Sequence, residues 1–183
     1  MPTVKEVFGI STARYQKNDW GLEIEIEGDN LVHPGSDVWR LDRDGSLVGN
    51  SLEYILAKPL PMKDVHLHLD DLTNTMKLNS STIKDSVRAG VHVHRNVQNW
   101  SMKKLFTFIV LYFTLENLLV NWCGPTREGN LFCLRLQDAE DILFRLYEAA
   151  YNRNAKILRT EDIRYCSCNL LALSNYGSVE FRS

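Results

Sequence analysis

The chain is short of several things, and each shortage closes off a class of function. Of its 183 residues, 21 are Lys or Arg and 23 are Asp or Glu, giving a net charge of −2. Such a balance provides no basic footprint, so no nucleic-acid partner is expected. Four cysteines occur, Cys123, Cys133, Cys166 and Cys168, with no Cys-x-x-Cys pair and no histidine at zinc-ligand spacing. They read as reduced thiols, and the protein as cytoplasmic. The Gly-x-x-x-x-Gly-Lys phosphate loop is absent, as is the Gly-x-Ser-x-Gly nucleophile elbow. No repeat, low-complexity stretch or Gly/Ser linker interrupts the sequence, and the segment from Met1 to Glu6 does not read as a signal peptide. One long apolar run exists, the 18 residues from Leu105 to Trp122, and it contains Glu116. It lies at the short end for a membrane span. Phe108, Tyr112, Leu115 and Leu119 recur in it at helical spacing, so a buried core helix is expected, and no membrane partner.

What remains is an ordinary globular composition, 44% apolar and 24% charged, long enough for one domain over 1–183. The most informative stretch runs from Gly21 to Gly28. Leu22, Ile24 and Ile26 alternate with Glu23, Glu25 and Glu27, which is a strand signal. Glutamates two apart on a strand lie roughly 6.6 Å apart, and at an effective dielectric near 20 they repel by about 2.5 kcal/mol. Open to bulk water, that face is ordinary surface. Lining a cleft, it calls for a cation such as Mg²⁺ or Mn²⁺.

Further strands are expected at Asp37–Leu41 and Ser51–Leu56, with the segment from Tyr15 to Trp20 leading into the acidic strand and a polar turn over Asp42–Ser46. After Pro61 the period changes. Val65, Leu69, Leu72 and Met76 share one helix face, ended by Asn79-Ser80-Ser81. Ala89 to Val97 alternates again, with Val91 and Val93 on one face and His92 and His94 on the other. A long helix follows from Trp100 to Trp122, stopped by Cys123-Gly124-Pro125. Asp138 is a plausible N-cap for a helix over Ala139–Asn152, with Ile142, Leu146 and Ala149 inward. The region from Tyr165 to Arg182 reads as a hairpin turning at Asn175-Tyr176-Gly177. The pattern predicts an α+β fold, a mainly antiparallel sheet with helices packed on one face.

Three of these strands turn chemistry away from their apolar side: Glu23/Glu25/Glu27, His92/His94 and Glu180/Arg182. Paired side by side, they would gather carboxylates, imidazoles and a guanidinium on one face. That donor set suits a hard-to-borderline divalent cation beside an anion clamp, as phosphoryl transfer requires. His66 and His68 form another His-x-His pair, but on a helix residues two apart diverge by roughly 200°, so these read as surface side chains.

Several motifs occur in a fixed order: Gly21-Leu22-Glu23-Ile24-Glu25, Asp44-Gly45-Ser46, Leu52-Glu53-Tyr54 before Pro59-Leu60, Gly90-Val91-His92-Val93-His94, Arg127-Glu128-Gly129-Asn130-Leu131-Phe132-Cys133, Tyr165 with Asn169-Leu170, and Gly177-Ser178-Val179-Glu180-Phe181-Arg182. The chain thereby resembles the amidoligase family, itself similar to the glutamine synthetase and glutamate–cysteine ligase group of carboxylate–amine ligases. The resemblance implies a glutamine-synthetase-like sheet and a reaction in two stages. ATP phosphorylates a carboxylate, and an amine then displaces the phosphate to leave an amide. It implies two or more Mg²⁺ ions held by Glu23, Glu25, Glu53, His92 and Glu180. His94 would lie near the nucleotide phosphates, and Arg182 would contact the γ- or acyl phosphate. Arg127 would bind substrate or phosphate, while Glu27 lies outside the core motif and its role stays open, the strand's wet end being one reading. Carboxylate and amine could belong to an amino acid, a peptide or a protein side chain. An oligomer fits the resemblance, since related synthetases often share sites between subunits. The family's Ser-Pro reads Ala57-Lys58 here, and relatives continue beyond Glu-Phe-Arg, which implies a shortened C-terminus. Two other readings use the same residues: a metal-dependent hydrolase built on His92-x-His94, and a non-catalytic binding or assembly descendant.

Overall fold

The computed structural model describes residues 1–10, 19–159 and 161–182. Most of the expected lead-in from Tyr15 to Trp20 lies outside them. The regular elements are α1 (Val4–Phe8), β1 (Trp20–Asp29), β2 (Trp39–Asp42), β3 (Ser51–Leu56), α2 (Met62–Leu78), β4 (Thr82–Ile83), β5 (Val91–Asn96), α3 (Met102–Cys123), α4 (Glu140–Tyr151), β6 (Cys168–Asn169), α5 (Ala172–Asn175) and β7 (Ser178–Arg182). Strands pair mainly antiparallel, and the chain is α+β. It divides into two compact units, Asn18–Val93 and Met1–Lys17 with His94–Ser183, the boundary falling inside β5.

In the first unit the strand order is β2-β3-β1 followed by the start of β5, with β4 paired to the far end of β1. The β1/β3 register sets Ile24 opposite Tyr54 and Glu25 opposite Glu53. Leu22, Ile26, Tyr54 and Leu56 pack with Val65, Leu72 and Met76 of α2. Each such side chain contributes roughly 1.5–3 kcal/mol on full burial. This is the expected helix face, with Leu69 at its margin. Tyr54 also donates its hydroxyl to the Val32 carbonyl at 2.8 Å. With one face of β1 and β3 committed to α2, alternation turns Glu23, Glu25 and Glu53 to the other.

The second unit has its own core, in which Leu105 and Ile109 of α3 meet Val4 and Phe8 of α1, Ile142 of α4, Leu173 and Val179. Its strand order is the end of β5, then β7 and β6. Phe181 of β7 packs its ring 5.3 Å from Tyr112 and 5.9 Å from Phe108, which sends Glu180 and Arg182 the other way. β6 and β7 pair as expected, Asn169 opposite Glu180. Their connection is not the tight turn expected at Asn175–Gly177. The one-turn helix α5 intervenes, and Gly177, at φ 69°, closes it.

Two further expectations need correcting. Asp138 does not cap α4. It closes a 3₁₀ turn over Leu136–Asp138 and pairs with Arg135 at 3.0 Å, leaving Ala139 at the cap position. The long helix α3 is not buried all round. Among the described residues it is the one helix long and apolar enough to cross a membrane, yet only 22% of its most apolar window is buried. Leu105, Ile109, Glu116 and Val120 face inward, and the opposite side is open.

Candidate functional site

The first unit assembles a cluster of acids around one imidazole. Glu25 of β1 and Glu53 of β3 are directly opposed by register. His92 of β5 sits between the glutamates of β1: its Nδ1 is 3.2 Å from Glu23 Oε2, and its Nε2 is 3.7 Å from Glu25 Oε1. Both Glu25 and His92 are buried. The loop after β2 supplies a further carboxylate. Oxygen atoms of Glu25, Asp44 and Glu53 lie within 4.8 Å of one another. Asp44 is fixed by its own turn, accepting from Ser46 N at 2.6 Å, and Arg88 holds that turn by donating to the Ser46 carbonyl at 2.9 Å. Four of the five expected metal ligands, Glu23, Glu25, Glu53 and His92, are therefore neighbours. Asp44 was legible only as a turn residue in the sequence, and its place in the cluster needed the fold.

Burial and mutual repulsion both act on these acids. Burial, reinforced by the carboxylates of Glu23, Glu25 and Asp44 and opposed by His92, pushes the Glu53 carboxyl from its ordinary 4.5 up to about 7. A carboxyl raised in the folded state holds its proton more tightly there than in the unfolded chain. Stability therefore falls as pH rises between about 4.5 and 7, the window set by the two values. The metal-free protein is expected to lose melting temperature across this window relative to Glu53→Gln. Parallel thermal melts of the two proteins check it, and identical pH profiles would contradict the argument.

Glu27, whose role the sequence leaves open, is settled by its surroundings. It is not the wet end of the strand but a buried carboxylate, and its Oε1 accepts from Val48 N at 2.9 Å. It ties the loop after β2 to β1, close in sequence to Asp44. Glu27→Ala leaves that N–H without its partner and is expected to cost about 1–3 kcal/mol in chemical denaturation. A loss below about 0.5 kcal/mol, the range of ordinary surface changes, would show the bond to be incidental.

In the second unit, Glu180 is the hub. Its Oε2 accepts from Asn169 Nδ2 at 2.6 Å and lies 3.9 Å from His94 Nε2; its Oε1 accepts from Arg182 Nη1 at 2.9 Å. Arg182 also donates through Nε to the Phe132 carbonyl at 3.2 Å, with its guanidinium 5.9 Å from the Tyr165 ring. The carbonyl of Arg182 accepts from the Cys133 thiol. His94 is held by Ser178 Oγ at 3.2 Å and by the edge of Tyr176. Arg127, at the end of a 3₁₀ turn, lines a cavity of about 420 Å³ together with Arg182, Tyr112 and Phe181. Asn169 and Ser178 stand in the motifs that carry the resemblance, but only the structure shows what they hold.

Two of the buried cysteines are poorly suited to nucleophilic chemistry. All four are free, and burial pushes the Cys133 and Cys166 thiols up to about 11 and about 12, which leaves them un-ionised and poorly nucleophilic. Burial likewise raises Glu116 on α3, which accepts from Leu136 N at 2.8 Å and from the Ser167 hydroxyl. It is a structural anchor between α3 and the segment around Cys166.

No family model, curated protein or solved structure matches this chain.

Proposed function

We propose that this chain is an ATP- and Mg²⁺-dependent carboxylate–amine ligase that forms an amide through an acyl phosphate. The observation that carries the reading is the convergence of Glu25, Asp44 and Glu53 oxygens within 4.8 Å, beside the buried imidazole of His92. Mg²⁺ binds oxygen at about 2.1 Å, so opposite ligands on one ion are roughly 4 Å apart. The cluster is close to that span. Partly buried acids that repel one another, as the raised Glu53 carboxyl reports, gain most from a cation. The donor set of three or four carboxylates and one imidazole suits Mg²⁺ or Mn²⁺ better than Zn²⁺.

Bound there, Mg²⁺ would neutralise phosphate oxygens as they gain charge. The chain's own residues carry the rest. Glu23 and Glu25 would be metal ligands, with Glu53 joining them once its proton is displaced, and His92 would be oriented by Glu23. Within the second unit, the sequence motifs would make Glu180 a metal ligand. Asn169 and Arg182 would fix its carboxylate, while Arg182 and His94 would meet phosphate. Arg127 would bind substrate or phosphate at the mouth of its cavity. The ordered motifs of the sequence support the same roles.

The test is amine-dependent ADP release across a panel of amino acids and short peptides, with hydroxylamine as the trapping amine. A hydroxamate formed only with ATP and Mg²⁺ supports the ligase. Tightly held Zn²⁺ in the purified protein, with hydrolysis that ignores ATP, would move the reading to a metal-dependent hydrolase. Absence of nucleotide and Mg²⁺ binding at saturating concentrations would make the chain a non-catalytic binding module.

A further inference from the structure

The cavity of about 420 Å³ beside Arg127 and Arg182 lies wholly within the second unit. Its size falls inside the roughly 300–1,000 Å³ of small-ligand pockets. Its wall is aromatic and aliphatic, with Tyr112, Leu119 and Trp122 of α3 and Phe181 of β7. The polar atoms of Tyr112 and Cys133 there are already engaged. The Tyr112 hydroxyl donates to the Ser167 carbonyl at 3.3 Å, and the Cys133 thiol to the Arg182 carbonyl at 2.9 Å. The wall therefore offers a ligand carbon rather than hydrogen bonds.

Charge supplies the polar half of the site. Arg127 and Arg182 line the cavity, and among the described residues no acid does. Arg182 commits Nε to the Phe132 carbonyl and Nη1 to Glu180, two of the five N–H groups of a guanidinium. The carboxyl end of α3 carries roughly half a negative charge, less than either guanidinium supplies, so an anion belongs at the arginines and not at the helix end. A monoanion with a hydrocarbon body fits both halves. A second polar group, such as the far carboxylate of a diacid or the hydrogen-bonding edge of a purine, would be buried against carbon without a partner. We propose that this cavity binds an apolar monocarboxylate of the aryl-alkyl class, its carboxylate at the guanidinium groups and its hydrocarbon body against Tyr112, Leu119 and Phe181. That the bound acid is also the carboxylate activated by ATP rests on the ligase reading; that it binds does not.

Calorimetric titration of the wild type, without ATP or Mg²⁺, tests this. It compares 3-phenylpropionate with 3-phenylpropan-1-ol, which lacks the charge, and with glutarate, which lacks the aryl body. 3-Phenylpropionate is expected to bind about tenfold or more tighter than either, the scale of a hydrogen bond to a charged group. Arg127→Gln is expected to bring acid and alcohol to within about threefold of each other, and the alcohol binding that survives shows that the cavity has kept its shape. Absence of binding, equal affinity for acid and alcohol, glutarate binding as tight as that of 3-phenylpropionate, or an acid preference that survives Arg127→Gln would each overturn the inference. The hydroxylamine assay then separates the two readings. Hydroxamate from glutarate but not from 3-phenylpropionate overturns the inference and leaves the ligase standing. Tight 3-phenylpropionate binding with no hydroxamate from any acid upholds the cavity and counts against the ligase.

Discussion

Glu25→Gln is expected to abolish amine-dependent ADP release, while the metal-free variant melts at or above the wild-type temperature at alkaline pH. Both halves follow from one arrangement. Glu25 is buried, opposed by Glu53 in register and within 4.8 Å of carboxylate oxygens of Asp44 and Glu53. Gln keeps the shape and removes the charge. A cation site then loses a buried anionic ligand, and loss of such charge stabilisation at a reacting phosphate costs about 10²–10³ in rate. Repulsion in the empty cluster falls at the same time. What is surrendered is the attraction to His92 at 3.7 Å, and that is small where the imidazole is neutral. Activity and stability should move in opposite directions, the signature of a site whose charges are retained for function. A variant that keeps activity, or that loses it only because it unfolds, would count against the cluster.

Gly28→Ala is expected to cost far more stability than the same change at Gly35 or Gly45. A Cβ at Gly28 would stand 2.0 Å from the Thr82 carbonyl oxygen and 3.0 Å from its carbon, with Ile83 Cα at 3.3 Å. All three are backbone atoms, so no side chain can swing aside. Either β4 leaves β1 or β1 bends. Parting them breaks the Gly28–Ile83 and Asp29–Thr82 pairing and the bond from Lys84 N to the Glu27 carbonyl at 2.8 Å. Overpacking with backbone displacement costs roughly 2–4 kcal/mol, and a chain of this size loses about 2–4 °C of melting temperature per kcal/mol. The neighbouring Gly45 has open space where its Cβ would be, so Gly45→Ala serves as the control. Equal melting temperatures for the two variants would contradict the close approach.

Much of this was legible because it is periodic. Alternation located β1 and β3, and the 3.6-residue pattern placed Val65, Leu72 and Met76 on the buried face of α2. The order of motifs, rather than any one of them, pointed to Glu25, Glu53 and His92, and the strand register then brought them together. Other features were hidden for physical reasons. Alternation puts Glu27 on the same face as Glu23 and Glu25, and it cannot tell that a loop will fold over Glu27 and offer it Val48 N. Asp44 looks like any turn aspartate until the turn is anchored by Arg88. Asp138 has the chemistry of a helix cap, but Arg135 three residues earlier competes for its carboxylate and wins. On α3, composition shows an apolar helix without saying which of its stripes the core will take.

The central claim is that the acidic cluster exists to hold Mg²⁺ with ATP. Calorimetric titration of a non-hydrolysable ATP analogue, with and without Mg²⁺, tests it on the wild type and on Glu25→Gln. Mg²⁺-dependent binding to the wild type, lost in the variant, is the expected result. No binding at saturating concentrations, or binding indifferent to chelator and to Glu25→Gln, would contradict it.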